Sequence, residues 1–373
     1  MSSMLPALPK SFGRLSDVFA SALGAITGVD NRLGLRRVEQ SVVVLVDGLG
    51  VSNLNYRSGH APFLTRSVGT KISTVFPSTT AAAIASFSTG LLPGRHGLVG
   101  YQIFDRDKNQ SVNLLTGLGA DFSPEQFQPN QTISERATEA GVPCFVVGPA
   151  EYENSGYSNA TMRLTTYLAA KTLDDRVRST LAVLDKNPKA LVYLYVPELD
   201  QTAHAFGSQS FKWLEKLEEL DGAIQELQHR LPKKAGMLLT ADHGIVDVDP
   251  NQHIFLDEAP GLENLVAVGG DPRCQFLYFQ EAISEKQISE LKSWLTDRCL
   301  VATKEEISNA GWYGTLTHEA SGRLPDLFII AISRVALYHR DFARKKSMQM
   351  IGQHGSISPE ELSVPLLRFG AFI

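Results

Sequence analysis

The sequence has little cysteine and no long apolar run, and both features narrow the class of protein. Cys144, Cys274 and Cys299 are the only cysteines in 373 residues, and none forms a CxxC pair. This excludes a disulfide framework and a thiolate metal site, and it favours a reducing compartment. No segment approaches the roughly 20 consecutive apolar residues that span a bilayer, and the N-terminus lacks the apolar core of a secretory signal. We therefore predict a soluble, cytoplasmic protein with no membrane partner.

An excess of positive charge is also missing. Lys and Arg number 35 against 40 Asp and Glu, which gives a formal net charge of −5, and the longest basic run covers only residues 344–346. Binding of a nucleic-acid polymer needs a broad positive field, so we do not expect such a partner. Hydrophobic residues make up 43% of the chain and charged residues 20%, which is typical of a globular protein and excludes disorder. Nothing in the sequence indicates the oligomeric state.

Short β-branched runs alternate with helical patterns along most of the chain. The runs cover residues 42–46, 143–147, 191–196 and 237–240, while Thr132 and Glu135 have the spacing of a capping box. This alternation predicts an α/β fold with a doubly wound, mostly parallel sheet and helices on both faces.

Two segments differ from this pattern. Residues 1–35 read as an N-terminal helical extension with an amphipathic surface helix, and residues 254–338 read as a small inserted α+β cap with a strand at 275–279 and a helix at 284–297. Residues 36–253 and 339–373 would then form the core domain.

Three apolar strand candidates are each followed by an aspartate: Asp47, Asp200 and Asp242. One such acid alone is often a helix cap or a turn residue. In an open α/β sheet, however, the carboxyl ends of the strands form the ligand crevice, so three acids there would converge. Asp200 also pairs with His204 at DxxxH spacing, and Asp242 is followed by His243. Carboxylate and imidazole are ligands that zinc accepts, so this edge is a candidate metal site.

Two further segments carry candidate functional residues. Residues 76–80, FPSTT, lead into a small-residue helix that Gly90 would end, which places the Thr80 hydroxyl at a helix N-terminus where anions are favoured. The alternative is that Ser78, Thr79 or Thr80 is only a helix cap. His354 lies in a glycine-flanked loop from which a ligand could project.

Several other chemistries lack their motifs. The DGLG segment at Asp47 resembles the start of a dinucleotide fingerprint, but Asn53 replaces its third glycine. The chain contains no GxxxxGK[ST], GxSxG or HExxH motif. These absences argue against P-loop, serine-hydrolase and zincin chemistry.

Taken in order, the motifs over residues 40–368 resemble those of the alkaline phosphatase superfamily, and most closely its nucleotide pyrophosphatase/phosphodiesterase branch. They are Asp47-Gly48, FPSTT ending at Thr80, Thr89-Gly90, RHG around His96, DQTAH from Asp200 to His204, ADHG around His243, and HGS at His354. The resemblance implies an alkaline phosphatase-like fold and two divalent metal ions, zinc being expected and manganese the alternative.

The resemblance also implies roles for individual residues. Asp47, Thr80, Asp242 and His243 would hold one metal ion, and Asp200, His204 and His354 the other. Thr80 would be the nucleophile that forms a phosphothreonine intermediate. His96 would brace a loop. The family usually has an asparagine near this motif that contacts the phosphoryl group, and counting along the chain places Tyr101 there, either as a catalytic hydrogen-bond donor or merely packed under the cap.

The implied activity is hydrolysis of phosphodiester or pyrophosphate bonds in a small phosphorylated substrate. Phosphomonoesterase and phosphonate hydrolase activities use the same framework and remain open, although a monoesterase should present a cation such as Arg95 or Arg106 to the additional phosphate charge. A metal-bound binding protein without turnover is the alternative from another class.

Overall fold

The computed structural model describes residues 5–8, 12–119 and 121–373. Its strands are β1 (Gln40–Val46), β2 (Gly69–Ser73), β3 (Gln102–Asp105), β4 (Gln110–Asn113), β5 (Cys144–Gly148), β6 (Thr166–Ala169), β7 (Ala190–Val196), β8 (Ala235–Thr240), β9 (Val246–Asp247), β10 (His253–Phe255), β11 (Leu265–Asp271), β12 (Cys274–Phe279), β13 (Cys299–Thr303), β14 (Leu327–Ala331), β15 (Ala336–Tyr338), β16 (Gly352–Gln353) and β17 (Ser363–Gly370).

Its α-helices are α1 (Leu15–Thr27), α2 (Val51–Tyr56), α3 (Pro62–Arg66), α4 (Thr80–Thr89), α5 (Pro93–His96), α6 (Pro124–Phe127), α7 (Ile133–Glu139), α8 (Gly156–Thr161), α9 (Leu173–Lys186), α10 (Glu198–Phe206), α11 (Phe211–His229), α12 (Glu285–Leu295), α13 (Lys304–Asn309), α14 (His318–Arg323) and α15 (Pro359–Leu362). Within the described ranges, no helix combines the length and the apolar character needed to cross a bilayer.

The centre of the fold is a mixed, mostly parallel sheet. Over the described residues it has seven strands in the order β2-β17-β8-β1-β7-β5-β6. The strands from β8 to β6 run parallel to one another, whereas β17 runs antiparallel to β8 and β2. Every residue of β1 is buried, as expected for a parallel strand inside an α/β fold. The predicted fold class is confirmed, and the four predicted strand runs correspond to β1, β5, β7 and β8.

The helix predicted near the N-terminus is present as α1, but it is not a surface helix. It packs against β1 and α4, and the ring of Phe19 stacks on that of Phe87 with the centroids 4.7 Å apart. Ser16, Ser21 and Gly24 are buried along with its apolar residues, and a Cβ atom at Gly24 would lie only 3.1 Å from the Val29 carbonyl oxygen. Residues 1–4 and 9–11 of the predicted extension lie outside the described residues.

A second sheet lies in the segment predicted as an inserted cap, and we call it the inserted sheet. It has the order β11-β12-β14-β13 and is antiparallel throughout. Phe276 and Phe328 on one face belong to the main core, whereas Leu277 on the other face packs in a smaller cluster with Leu291 and Leu295 of α12. The parallel pair β10 and β15 lies where the segment leaves and rejoins the core. The inserted sheet is therefore packed onto the central fold on one face.

The strand order brings the three candidate acids to one edge. β8, β1 and β7 are neighbours and run parallel, so their carboxyl ends meet. Asp47 directly follows β1, Asp242 follows β8, and Asp200 lies in the first turn of α10 after β7. This is the edge at which open α/β sheets bind their ligands.

Candidate active site

One group of side chains surrounds His243. Its Nε2 atom lies 3.4 Å from Asp47 Oδ1, 3.4 Å from Asp242 Oδ2 and 3.1 Å from Thr80 Oγ1. All four residues are buried. The structure thus brings together the four residues for which the sequence predicted a shared metal ion.

A second group adjoins the first. Asp200 and His204 lie one turn apart on α10, with His204 Nε2 3.2 Å from Asp200 Oδ2. His354 Nε2 lies 3.9 Å from Asp200 Oδ1, and the ring of His354 stacks on that of His243 with the centroids 3.7 Å apart. The predicted second set of ligands therefore lies beside the first, and the two sets meet at the stacked histidines.

Backbone groups orient these ligands. The Nδ1 atom of His204 lies 2.7 Å from the Gly352 carbonyl oxygen, and that of His354 lies 3.0 Å from the Ser78 carbonyl oxygen. A ring whose Nδ1 donates to a carbonyl turns its Nε2 atom toward the site, where Nε2 binds a metal once it has lost its proton. Asp242 Oδ1 accepts the backbone N–H groups of Gly48 and His243, which leaves its Oδ2 atom for the site.

The carboxylate oxygens at the centre of the site fit a divalent cation. Asp47 Oδ1, Asp200 Oδ1 and Asp242 Oδ2 are buried and accept no hydrogen bond from the residues that the structure describes. Buried carboxylate oxygens without a donor are costly unless a cation neutralises them. Together with two sets of nearby imidazole nitrogens, this donor chemistry is suitable for zinc or manganese.

The electrostatics agree with a site that needs positive charge. Burial, then the carboxylates of Asp242 and Asp200, raise the pKa of Asp47 well above its ordinary value, and burial likewise raises the pKa of Asp242. Burial disfavours the charged form of Asp200, but the charge of His204 outweighs it and holds the pKa of Asp200 below its ordinary range. Burial lowers the pKa of His354 well below its ordinary value. That imidazole is neutral and ready to ligate a metal.

Thr80 and Thr79 have different partners. Thr80 is the first residue of α4, and its hydroxyl faces His243. The hydroxyl of Thr79 instead donates to Asp271 Oδ1 at 3.0 Å. The helix ends at Gly90, which has φ +73°, the left-handed conformation that glycine adopts readily. Of the two threonines, only Thr80 presents its hydroxyl to the candidate metal ligands.

A cavity of about 560 Å³ opens beside Thr80, Asp47 and Asp200. Tyrosine rings dominate its lining: Tyr152, Tyr157, Tyr167, Tyr193 and Tyr195. The hydroxyls of Tyr157 and Tyr167 donate to backbone carbonyls of Ala81 and Pro149, so these residues offer mainly their rings to the cavity. Its charged lining residues in the described chain are Asp47, Glu151 and Asp200, all acidic.

Tyr101 is not brought to this cavity. It lines a separate cavity of about 100 Å³ together with Asn113, Gly270, His339 and Arg344. Arg106 donates to Asp326 and to the Phe279 carbonyl in the inserted sheet, and Arg95 lines a groove beside α1. The structure gives no support to phosphoryl contacts by these three residues.

His96 is buried and holds its loop from both ring nitrogens. Its Nε2 pairs with Ser86 Oγ at 2.8 Å, and its Nδ1 accepts the Leu98 N–H. This is the bracing role expected from the sequence.

Tyr195 and Asp271 were missed by the sequence analysis. The hydroxyl of Tyr195 donates to Asp47 Oδ2 at 2.5 Å; its place on β7, five residues before Asp200, was the available signal. Asp271 ends β11 of the inserted sheet, and no motif around it connects it with a threonine 192 positions earlier in the chain.

Comparisons with known proteins agree with this geometry. The family model described as type I phosphodiesterase / nucleotide pyrophosphatase matches residues 41–357. An uncharacterized pyrophosphatase/phosphodiesterase of Schizosaccharomyces pombe is 30% identical over 227 residues, covering 58% of this chain and 44% of its own length. Human ectonucleotide pyrophosphatase/phosphodiesterase family member 1 is 24% identical over 208 residues, covering 52% of this chain and 22% of its own length. The chain thus spans less than half the length of either relative.

The fold comparison covers more of the chain. An inactive variant of murine ectonucleotide pyrophosphatase/phosphodiesterase 5, solved in complex with AMP, superposes with a TM-score of 0.71 at 20% identity, covering 89% of this chain and 88% of the other. This structural similarity shows that the two proteins share a fold. Because the family model extends over most of the sequence and includes every candidate ligand, the chain belongs to the type I phosphodiesterase / nucleotide pyrophosphatase family.

Proposed function

We propose that the protein is a metal-dependent hydrolase of phosphodiester or pyrophosphate bonds, with Thr80 as its nucleophile. The observation that carries the proposal is the position of Thr80: it is the first residue of α4, and its hydroxyl lies 3.1 Å from Nε2 of His243, the residue that belongs to both groups of potential metal ligands. Family membership supports the same reaction class.

Two sets of residues would hold the metal ions. Asp47, Thr80, Asp242 and His243 would hold one, and Asp200, His204 and His354 the other, zinc being expected and manganese the alternative. When bound, such ions supply the positive charge that lowers the pKa of a hydroxyl and stabilises charge on a phosphoryl group.

The chain's own residues account for the remaining steps. Thr80 Oγ1 loses its proton to solvent and attacks phosphorus, the bond from phosphorus to the leaving oxygen breaks, the leaving oxygen takes up a proton, and a phosphothreonine forms. Water then attacks phosphorus and the bond to Thr80 breaks, which restores the hydroxyl and releases the product. The N-terminus of α4 stabilises negative charge on the phosphoryl group throughout.

The tyrosine-lined cavity supports a small substrate that carries an aromatic group, such as a nucleotide. Aromatic rings stack on planar groups, and the AMP in the complex with the murine protein contains one. The acidic lining disfavours a second anionic group in this cavity. Arg95 lies at a groove beside α1 and Arg106 pairs with Asp326, so neither offsets the additional negative charge of a monoester phosphate, and the acidic lining favours a diester over a monoester.

The proposed location is the cytoplasm. Cys144, Cys274 and Cys299 are all free and buried, which suits a reducing compartment. Fractionation of cells that express the protein at its natural level should recover it with cytoplasmic markers, and recovery in the medium or the membrane fraction would refute this location.

The test of function combines metal analysis with kinetics. The purified protein should contain about two metal ions per chain and hydrolyse a chromogenic phosphodiester faster than the matching monoester, and a chelator should abolish both properties. Thr80→Ala should reduce turnover roughly thousandfold while most of the metal remains, because Asp47, Asp242 and His243 are intact.

Other outcomes would select the alternatives. Faster hydrolysis of the monoester would indicate a phosphomonoesterase, and turnover of a phosphonate alone would indicate a phosphonate hydrolase. Bound metal without turnover of diesters, monoesters, phosphonates or nucleotides would indicate a binding protein. Unchanged turnover in Thr80→Ala would refute the nucleophile.

A further inference from the structure

The turn between β11 and β12 reaches from the inserted sheet into the active-site loops. Asp271, Arg273 and Glu361 are almost completely buried. Arg273 makes a two-point ion pair with Glu361 at 2.8 and 2.9 Å, and Glu361 Oε1 also accepts the Ser356 N–H at 2.9 Å. The turn is thereby fixed to the segment that follows His354.

Asp271 touches both loops that carry candidate ligands. Its Oδ1 atom accepts the hydroxyl of Thr79, the residue before Thr80, at 3.0 Å. On its other side lies Gly355, the residue after His354: a Cβ atom at Gly355 would be 2.7 Å from Asp271 Cβ and 3.4 Å from its Oδ2. Asp271 is therefore wedged between the loop of the nucleophile and the loop of His354.

The bond to Thr79 also changes the start of α4. Thr79 is the N-cap residue, and a threonine there usually accepts a first-turn N–H with its hydroxyl. Here the hydroxyl makes no such bond and donates to Asp271 instead. The first-turn N–H groups beside Thr80 are consequently not capped by this side chain, and such groups bind phosphoryl oxygens well.

We propose that Asp271 is a positioning residue of the active site, which holds Thr79 away from the first turn of α4 and so keeps the helix N-terminus open to the phosphoryl group. The inference rests on the proposed function. It assigns a positioning role to a residue of the inserted sheet that belongs to neither candidate set of metal ligands.

Two variants remove the bond from opposite sides. Asp271→Ala frees the Thr79 hydroxyl to cap the first turn of α4 and should lower kcat/KM for the diester about tenfold, the loss expected for one hydrogen bond. It should also raise the Kd of inorganic phosphate, measured by calorimetry on the metal-loaded protein, by a similar factor, with two metal ions retained. Thr79→Val has no hydroxyl that could cap the helix, so both quantities should stay close to those of the wild type. Asp271→Asn keeps an acceptor for the Thr79 hydroxyl, so this variant should retain most of the wild-type kcat/KM and phosphate affinity.

The double variant Asp271→Ala/Thr79→Val makes the test specific. If Asp271 acts by holding the Thr79 hydroxyl away from α4, the double variant should recover most of what Asp271→Ala loses, whereas a role of Asp271 that is independent of Thr79 would leave the double variant as impaired as Asp271→Ala. Asp326→Ala is the matched control, because Asp326 accepts the Phe279 N–H within the same inserted sheet at 2.8 Å and should affect stability alone.

A double variant as impaired as Asp271→Ala, or an equal loss of phosphate affinity in Asp326→Ala, would overturn the proposal. If Asp271→Ala does not fold, Asp271→Leu, which has a similar shape and accepts no hydrogen bond, takes its place, and unchanged kcat/KM and phosphate affinity in Asp271→Leu would refute the proposal. A wild-type protein without turnover would refute the proposed function instead, and the phosphate-binding measurements would still show whether Asp271 and Thr79 act together.

Discussion

Tyr195 connects the candidate metal ligands with the tyrosine-lined cavity. Its ring lines the cavity and its hydroxyl donates to Asp47 Oδ2. Tyr195→Phe keeps the ring but leaves that carboxylate oxygen without its donor. Loss of such an outer partner typically lowers metal affinity or activity 10- to 100-fold, and we expect this range for metal retained after dialysis and for turnover.

A matched control lies in the same cavity. Tyr167→Phe removes a hydroxyl that donates only to the Pro149 carbonyl, so metal content and turnover should stay close to those of the wild type. Equal losses in both variants would mean that the hydroxyl of Tyr195 does not support Asp47.

His96 predicts a dependence of stability on pH. Burial lowers the pKa of His96 to about 3 in the folded protein, against about 6.5 in the unfolded chain. Between these values the unfolded chain binds one more proton, so the free energy of unfolding falls by about 1.4 kcal/mol for each unit that the pH drops. Urea titrations at pH 6.5 and below should show that the free energy of unfolding falls less steeply with pH in His96→Asn than in the wild type.

The exposed His229 on α11 supplies the control, because His229→Asn should follow the wild-type profile. If the free energy of unfolding depended on pH in the same way in the wild type and in His96→Asn, protonation of His96 would not be the cause of the pH dependence.

The individual ligands were predictable to different degrees. Asp200 with His204, and Asp242 with His243, are local pairs whose spacing already indicated a shared site. Tyr101 was placed by counting along a loop, and a loop does not fix the direction of a side chain as a strand or helix does. Asp271 could not be predicted, because its contact with Thr79 depends on how the inserted sheet docks.

Arg176 anchors α9 to the strand and helix that carry Tyr195 and Asp200. Its side chain is fully buried, donates to the Tyr195 carbonyl at 2.7 Å, and pairs with Glu198 in the first turn of α10. Arg176→Met would leave the carbonyl and the carboxylate without their donor. We expect a loss of about 3 kcal/mol in the free energy of unfolding, measured by urea denaturation.

Arg178 on the same helix gives the comparison. It is exposed and pairs with Asp175 three residues earlier, so Arg178→Met should cost well under 1 kcal/mol. Similar losses in the two variants would show that burial does not distinguish the two pairs.

Helices and strands with a regular apolar pattern could be predicted from the sequence. The neighbours against which they pack could be predicted less well. Thr132 does cap α7 as its spacing with Glu135 predicts, since a capping box is a local interaction. The burial of α1 was not predicted, because its serines and glycine resemble a polar face although they are buried together with its apolar residues. Which face of a helix is covered depends on its partner as well as on its own sequence.

For the whole molecule, removal of metal should be visible in stability as well as in turnover. Ligands that bind only the folded protein stabilise it by about 3 kcal/mol per site at a hundredfold excess over Kd. A chelator should therefore lower Tm, and Zn²⁺ or Mn²⁺ should restore both Tm and turnover. Asp242→Asn or His354→Ala should reduce both the metal-dependent shift and the activity.

The control for this measurement is a substitution outside both ligand sets. Asp326→Ala should keep the full metal-dependent shift even if its starting Tm is lower. A Tm that does not respond to the chelator in the metal-containing wild type would contradict the assignment of these residues as ligands.

The arrangement of the candidate ligands along the chain has a consequence for synthesis. Asp47 lies near the start and His354 near the end, yet the two sets of ligands adjoin through the stacked rings of His243 and His354. A ribosome-bound chain cannot assemble both sets until residue 354 has left the exit tunnel. The first candidate set is complete in sequence at residue 243, so it can assemble before the second, and a chain that terminates between residues 243 and 354 keeps all three aspartates but lacks His354.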